Sequence, residues 1–172
     1  MNQGSDEIET PRSFPTWRTV RRGVYKTLDA YLADMKAKGY GISEYAAEIL
    51  PLVVWSREEG EEELVMVLDQ NLGIADSYTP DKLFAAAARF GLYRLDADVA
   101  AGLREQYDDQ PVGEWCLAAM DQIGSCFRSL RVFEIARFDA RALLDAHNAF
   151  PEVRFGFGIV WIFSRRKPTS AT

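Results

Sequence analysis

Arg104, Gln106, Tyr107, Asp108, Asp109, Gln110, Pro111 and Glu114 fall within eleven residues of one another, and Trp115 follows at once. A guanidinium, a phenol, amides and carboxylates are thus gathered where a helical pattern ends and an apolar strand pattern, EWCLAAMDQI, begins. As a site, these groups would set a carboxylate, a cation and aromatic rings around a concave junction. As structure, Arg104 and Tyr107, three residues apart, share one helix face. Glu114 at the strand start would then meet Arg104, and Asp109 would accept from turn amides. Clusters of this kind are more often structural than functional.

Catalysis would need one carboxylate among Asp69, Asp109 and Glu114 to be desolvated so that its pKa rises. The three could be neighbours if strands 64–68 and 114–121 lie side by side, but no spacing demands it. His147 is the sole histidine, so any Ser-His or Cys-His mechanism must use it. Its spacing from Leu143 places it on an apolar helix face, the position of a structural histidine. Cys116 could pair with it only through the tertiary fold. Two cysteines with one histidine cannot assemble a structural zinc site, so no metal is expected. No GxxxxGK[ST] loop occurs and the FGFG pair lies inside a strand pattern, so no phosphate-bearing cofactor is expected either.

Basic residues gather near both ends: Arg12, Arg18, Arg21, Arg22 and Lys26 in front, Arg165, Arg166 and Lys167 behind. Adjacent terminal strands would turn them into one positive strip beside Trp17, a pattern that suits single-stranded nucleic acid. The net charge of −6 works against that partner, and a charged sheet edge is the simpler account.

The elements that must hold these groups follow from patterning. The 172 residues suffice for one domain with its own core. The acidic, polar opening residues have no signal-peptide character, and the longest apolar run, 155–163, is short of the roughly 20 residues of a membrane helix. A reduced cytoplasmic protein with no membrane contact is expected. Residues 1–13 read as a disordered tail, 14–166 as a single domain and 167–172 as a frayed end. FPTWRTVRRGVY reads as an edge strand, and Thr27 caps a helix that Gly39 ends. Ser43 caps a shorter helix, the glutamates of REEGEEE must be solvated, and LVMVL is a central strand. Thr79–Pro80 opens a helix closed by Gly91, and Asp96 starts another. LRVFEIARF is a strand, Asp139 caps a helix over ARALLDAHNAF, and RFGFGIVWIFS is the last strand. The sum is α+β: a mostly antiparallel sheet with four or five helices packed mainly on one face.

Two stretches carry a resemblance. FPTWRTVRRGVYKTLDAYLADMKAKGYGISEYAAEIL resembles the start of an uncharacterised family of small bacterial proteins, with its Trp-Lys-Thr-type strand, helix and short second helix. LREQYDDQPVGEWCLAAMDQI is similar to that family's Leu-Arg-x-Gln-Tyr-x-Asp-Gln-Pro-x-Gly-Glu-Trp segment. Residues 124–158 depart from it. The resemblance implies a bacterial, cytoplasmic protein with the polar turn as a family feature, and carries over no functional residue.

These observations rank a non-enzymatic binding or regulatory protein first, presenting Arg104, Gln106, Tyr107, Asp109, Gln110, Glu114 and Trp115 to another protein. A small enzyme using Asp109 or Glu114 with Arg104 is the alternative. A nucleic-acid accessory protein using Arg18, Arg21, Arg22, Arg165 and Arg166 comes third.

Overall fold

The computed structural model describes residues 13–167, so the expected tails, Ser13 and Lys167 apart, lie outside the described residues, as does Arg12. In chain order the elements are β1 (Arg18–Arg22), α1 (Leu28–Ala37), β2 (Gly41–Ile42), α2 (Glu44–Ile49), β3 (Gly60–Leu68), α3 (Pro80–Ala88), α4 (Ala97–Gln106), β4 (Trp115–Ala118), β5 (Arg131–Phe138), β6 (Arg141–Asn148) and β7 (Val160–Ser164).

Local chemistry sets the helix limits. Thr27 Oγ1 accepts from the Ala30 amide at 3.2 Å, Ser43 Oγ from Ala46 at 3.1 Å and Thr79 Oγ1 from Lys82 at 3.4 Å. Each satisfies an amide that has no partner within its helix. Gly39 (φ 76°) and Gly91 (φ 67°) supply the left-handed residue that stops α1 and α3.

The seven strands form one curled sheet in the order β1-β3-β7-β4-β5-β6-β2. It is mixed, which corrects the expectation of a mostly antiparallel sheet. β7 pairs in parallel with β4, and β2 in parallel with β6; the other neighbours are antiparallel. Chain topology accounts for the first of these: the last strand inserts between β3 and β4 rather than adding to an edge. The helices do not share one face either. Helix α4 lies along β1, β5 and β6, α2 packs on β6, and α3 stands beside Phe163 of β7.

A second correction concerns residues 139–150. The stretch expected to be a helix is strand β6, paired with β5 from Arg131↔Asn148 to Phe138↔Arg141. Ala142, Leu144 and Ala146 are buried while Arg141 and His147 are exposed, a period of two. The helix preference of Ala and Leu is overridden by pairing with β5. Asp139, expected to cap that helix, instead takes φ 52° in the tight β5–β6 turn. The last and fourth strands are also shorter than expected. Phe155 meets Tyr78 in an isolated bridge, and pairing in β4 stops at Ala118.

Glu62 departs from the solvated run of glutamates. It points inward beside Val20, is 3 % exposed, and has its Oε2 3.4 Å from Arg166 Nε.

Candidate functional site

The polar turn divides into a buried interior and an exposed rim. Arg104, on the last turn of α4, is fully buried. Its NH1 donates to the Gln110 amide oxygen and to Ala136 O at 3.0 Å, and its NH2 to Tyr107 O at 2.6 Å. Its guanidinium lies 5.6 Å from the Tyr40 ring centre. No carboxylate of the described residues bonds it, so the expected Arg104–Glu114 pair is not formed. Glu114 instead accepts from the Tyr107 hydroxyl. The charge is balanced by carbonyl and amide dipoles at a helix C-terminus, where a cation is favoured. Burial lowers the pKa of Arg104.

Gln110 is 2 % exposed and fixes the turn to the sheet. Its oxygen takes Arg104, and its nitrogen donates to Glu114 O at 3.2 Å and Ile135 O at 3.0 Å. Tyr107 is 4 % exposed and sets its ring edge-to-face on Trp17, centroids 4.8 Å apart. Burial and the hydrogen bond to Glu114 push its phenol well above the usual range. Tyr40, which donates to Asp108 at 2.6 Å, is pushed up to about 12, mainly by burial.

On the outer side of α4, Arg18 covers Tyr107 and donates to Asp109 at 2.6 Å and to Gln106 O at 3.0 Å. The Arg18 bond holds the Asp109 carboxyl below the ordinary range. The Gln106 side chain accepts from the Arg21 amide at 2.7 Å and donates to the Arg21 carbonyl at 2.9 Å. Strand β1 is an edge strand, and this amide occupies hydrogen-bonding groups that another chain could otherwise use.

The rim is different in character. Val112 is 65 %, Trp115 37 % and Phe138 49 % exposed. Trp115 pairs with Ala136, and Phe138 follows Ala136 by two residues, so the two rings are diagonal neighbours on one sheet face. Gly113 N bonds Arg137 O at 2.7 Å, which seats Val112 against the same strand end. Val112 and Phe138 were not singled out in the sequence. The alternation of LRVFEIARF held the signal for Phe138, since it sets residues 134, 136 and 138 on one face.

The other candidates are dispersed. Asp69 is buried two strands from Glu114, with β7 between them. It accepts from Tyr78 OH at 2.8 Å and from the amides of Gln70, Gly158 and Ile159, while Trp161 Nε1 donates to Tyr78 OH at 2.9 Å. His147 lies on a strand, half-exposed, with Nδ1 3.5 Å from Glu134 Oε2 and its ring near Phe155. Cys116 pairs with Ile135, which pairs with Leu144, so His147 projects to the opposite face and no Cys–His pair forms. Burial pushes the Cys116 thiol up.

Of the basic residues, Arg22 pairs with Glu58 at 2.6 Å, and Arg166 with Glu62 and Asp96. Arg165 donates to Phe14 O and to Thr16 Oγ1. Arg21 projects from β1 opposite to Arg18 and Arg22, so the five do not share one face. Among the described residues no set of three His, Cys, Asp or Glu side chains is arranged to hold a metal, and no helix is long and apolar enough to cross a membrane.

No family model, curated protein or solved structure matches the chain.

Proposed function

We propose that this chain is a non-enzymatic binding protein that engages another protein through the rim of the polar turn. The observation that carries the reading is the division of labour within residues 104–115. Arg104, Tyr107 and Gln110 are buried and, Arg104 Nε apart, use their side-chain polar atoms on neighbouring groups, while Val112 and Trp115, with Phe138, stand exposed on the strand ends they anchor. Exposed aromatic side chains on a rigid support are the usual anchors of protein interfaces. The lowered pKa of Asp109 is that of an ion-paired turn and opposite to the raised value a general acid needs. The two free cysteines suit a reducing, cytoplasmic setting, and the resemblance to small bacterial proteins suits a bacterial one.

The test is affinity capture from a bacterial lysate with wild type and a Trp115→Ser/Phe138→Ser variant whose melting curve shows it folded. The expected result is a protein retained by wild type and lost by the variant. Identical retention by both refutes the rim as the docking face.

A further inference from the structure

A second surface has the chemistry of a peptide groove. After α2 a 3-10 turn at Leu50–Leu52 releases the chain, which runs extended through Val53 (φ −69°, ψ 130°) and joins no strand before β3. This segment forms one wall of a groove of about 390 Å³; the start of α4 and residues 121–123 form the other. The volume is in the range of ligand-binding clefts.

Three features converge there. Leu52 is 44 % and Val54 85 % exposed, and Ile123 is half-buried facing them, so apolar side chains line the groove without being covered. The wall is held in place, since Ser56 N donates to Asp98 Oδ2 at 3.0 Å. Yet among the described residues the backbone N–H and C=O of Val54 and Trp55 bond to nothing, as on an open strand edge. The rim carries Asp96 and Asp121, with Asp98 buried behind them on the Ser56 and Val99 amides and no Lys or Arg among the lining residues. Asp96 and Asp121 are more than half exposed and touch Arg166 and Arg94, which lie outside the lining. Exposed ion pairs of this kind contribute only about 0–1 kcal/mol, so a peptide cation can share either carboxylate, whereas a peptide anion meets no cation in the lining.

We propose that this groove docks an extended segment of a partner protein in which Lys or Arg alternates with aliphatic residues. The segment adds as a strand along Val54 and Trp55, with backbone hydrogen bonds supplying affinity and alternate side chains supplying specificity. Its aliphatic side chains enter between Leu52, Val54 and Ile123, and its cations reach Asp121 and Asp96. The surface is separate from the Trp115–Phe138 rim, and the inference goes beyond that reading.

The experiment is an array of short peptides that alternate aliphatic residues with Lys/Arg, Glu or Ser, probed with the full chain and followed by fluorescence anisotropy on the best binder. Three variants enter the anisotropy: Val54→Glu, Asp121→Lys and Trp115→Ser/Phe138→Ser. Val54 and Asp121 are exposed, so neither substitution disturbs the core. Basic–aliphatic peptides are expected to lead the array. Val54→Glu and Asp121→Lys are each expected to weaken binding about tenfold, equivalent to about 1.4 kcal/mol. The rim variant is expected to bind as wild type does, which separates failure here from failure of the proposed function. No selective binding, a preference for acidic or uncharged peptides, or indifference to Val54→Glu overturns the proposal. So does concentration-dependent dimerisation abolished by Val54→Glu, which would assign the groove to a second copy of the chain.

Discussion

Replacing Gln110 by Ala removes the residue through which the polar turn is fastened to the sheet. Among the described residues the Gln110 oxygen is the one side-chain acceptor on the buried Arg104 guanidinium, and a hydrogen bond to a charged group contributes about 1.5–3 kcal/mol. The nitrogen serves two main-chain carbonyls, Glu114 O and Ile135 O, at about 1 kcal/mol each. The expected loss is therefore about 4 kcal/mol. Set against the roughly 5–15 kcal/mol of a typical domain, this leaves a folded but weakened protein. The assay is urea unfolding at neutral pH. With a slope of about 2 kcal/mol/M, the midpoint should fall by about 2 M with the slope unchanged. In an Arg104→Met background the charge-assisted bond is already gone, so the same substitution should cost about half as much. A fall of less than about 0.5 M in the wild-type background would refute the assignment of Gln110 as a staple.

Three further outcomes are expected. Cys126 is exposed, with hydrogen bonds from Ser129 lowering its thiol pKa, whereas Cys116 is buried with its pKa raised, so a thiol reagent should label Cys126 in the native protein and Cys116 only after unfolding. Asp109 has a folded pKa depressed by Arg18, so its contribution is present above the ordinary carboxylate pKa of about 4 and is lost as pH falls through the folded value. An Asp109→Asn variant should accordingly be less stable than wild type at pH 7 and converge with it in acid, as read from melting curves across pH. Asp139 holds φ 52° in the β5–β6 turn, a conformation glycine adopts without strain; Asp139→Gly should stabilise by a few tenths to about 1 kcal/mol in urea unfolding.

Features decided by neighbours in sequence were legible. Thr27, Ser43 and Thr79 cap the helices they were expected to cap, and Gly39 and Gly91 end theirs. Features decided by distant pairing were not. Nothing local tells that Val160–Ser164 lies between β3 and β4, an insertion that creates the parallel β7–β4 pair. In ARALLDAHN, helix-favouring composition concealed a two-residue alternation that only pairing with β5 reveals. The polar turn was recognisable as a cluster, because its residues are close in sequence. Its wiring was not. A charge pair between Arg104 and Glu114 follows from residue types alone, but the guanidinium meets the carbonyls of Tyr107 and Ala136, whose directions are set by the end of α4 and by β5. Likewise, the part played by Gln106 depends on β1 passing alongside α4.

The central claim is that residues 104–115 hold a buried staple whose rim meets a protein partner. It is tested most directly by amide hydrogen exchange of the chain with and without the protein captured through it. The account predicts added protection at residues 112–115 and 136–141, with little change in the already buried Arg104–Gln110 core. Protection confined to other segments, leaving 112–115 and 136–141 exchanging as in the free chain, would contradict it.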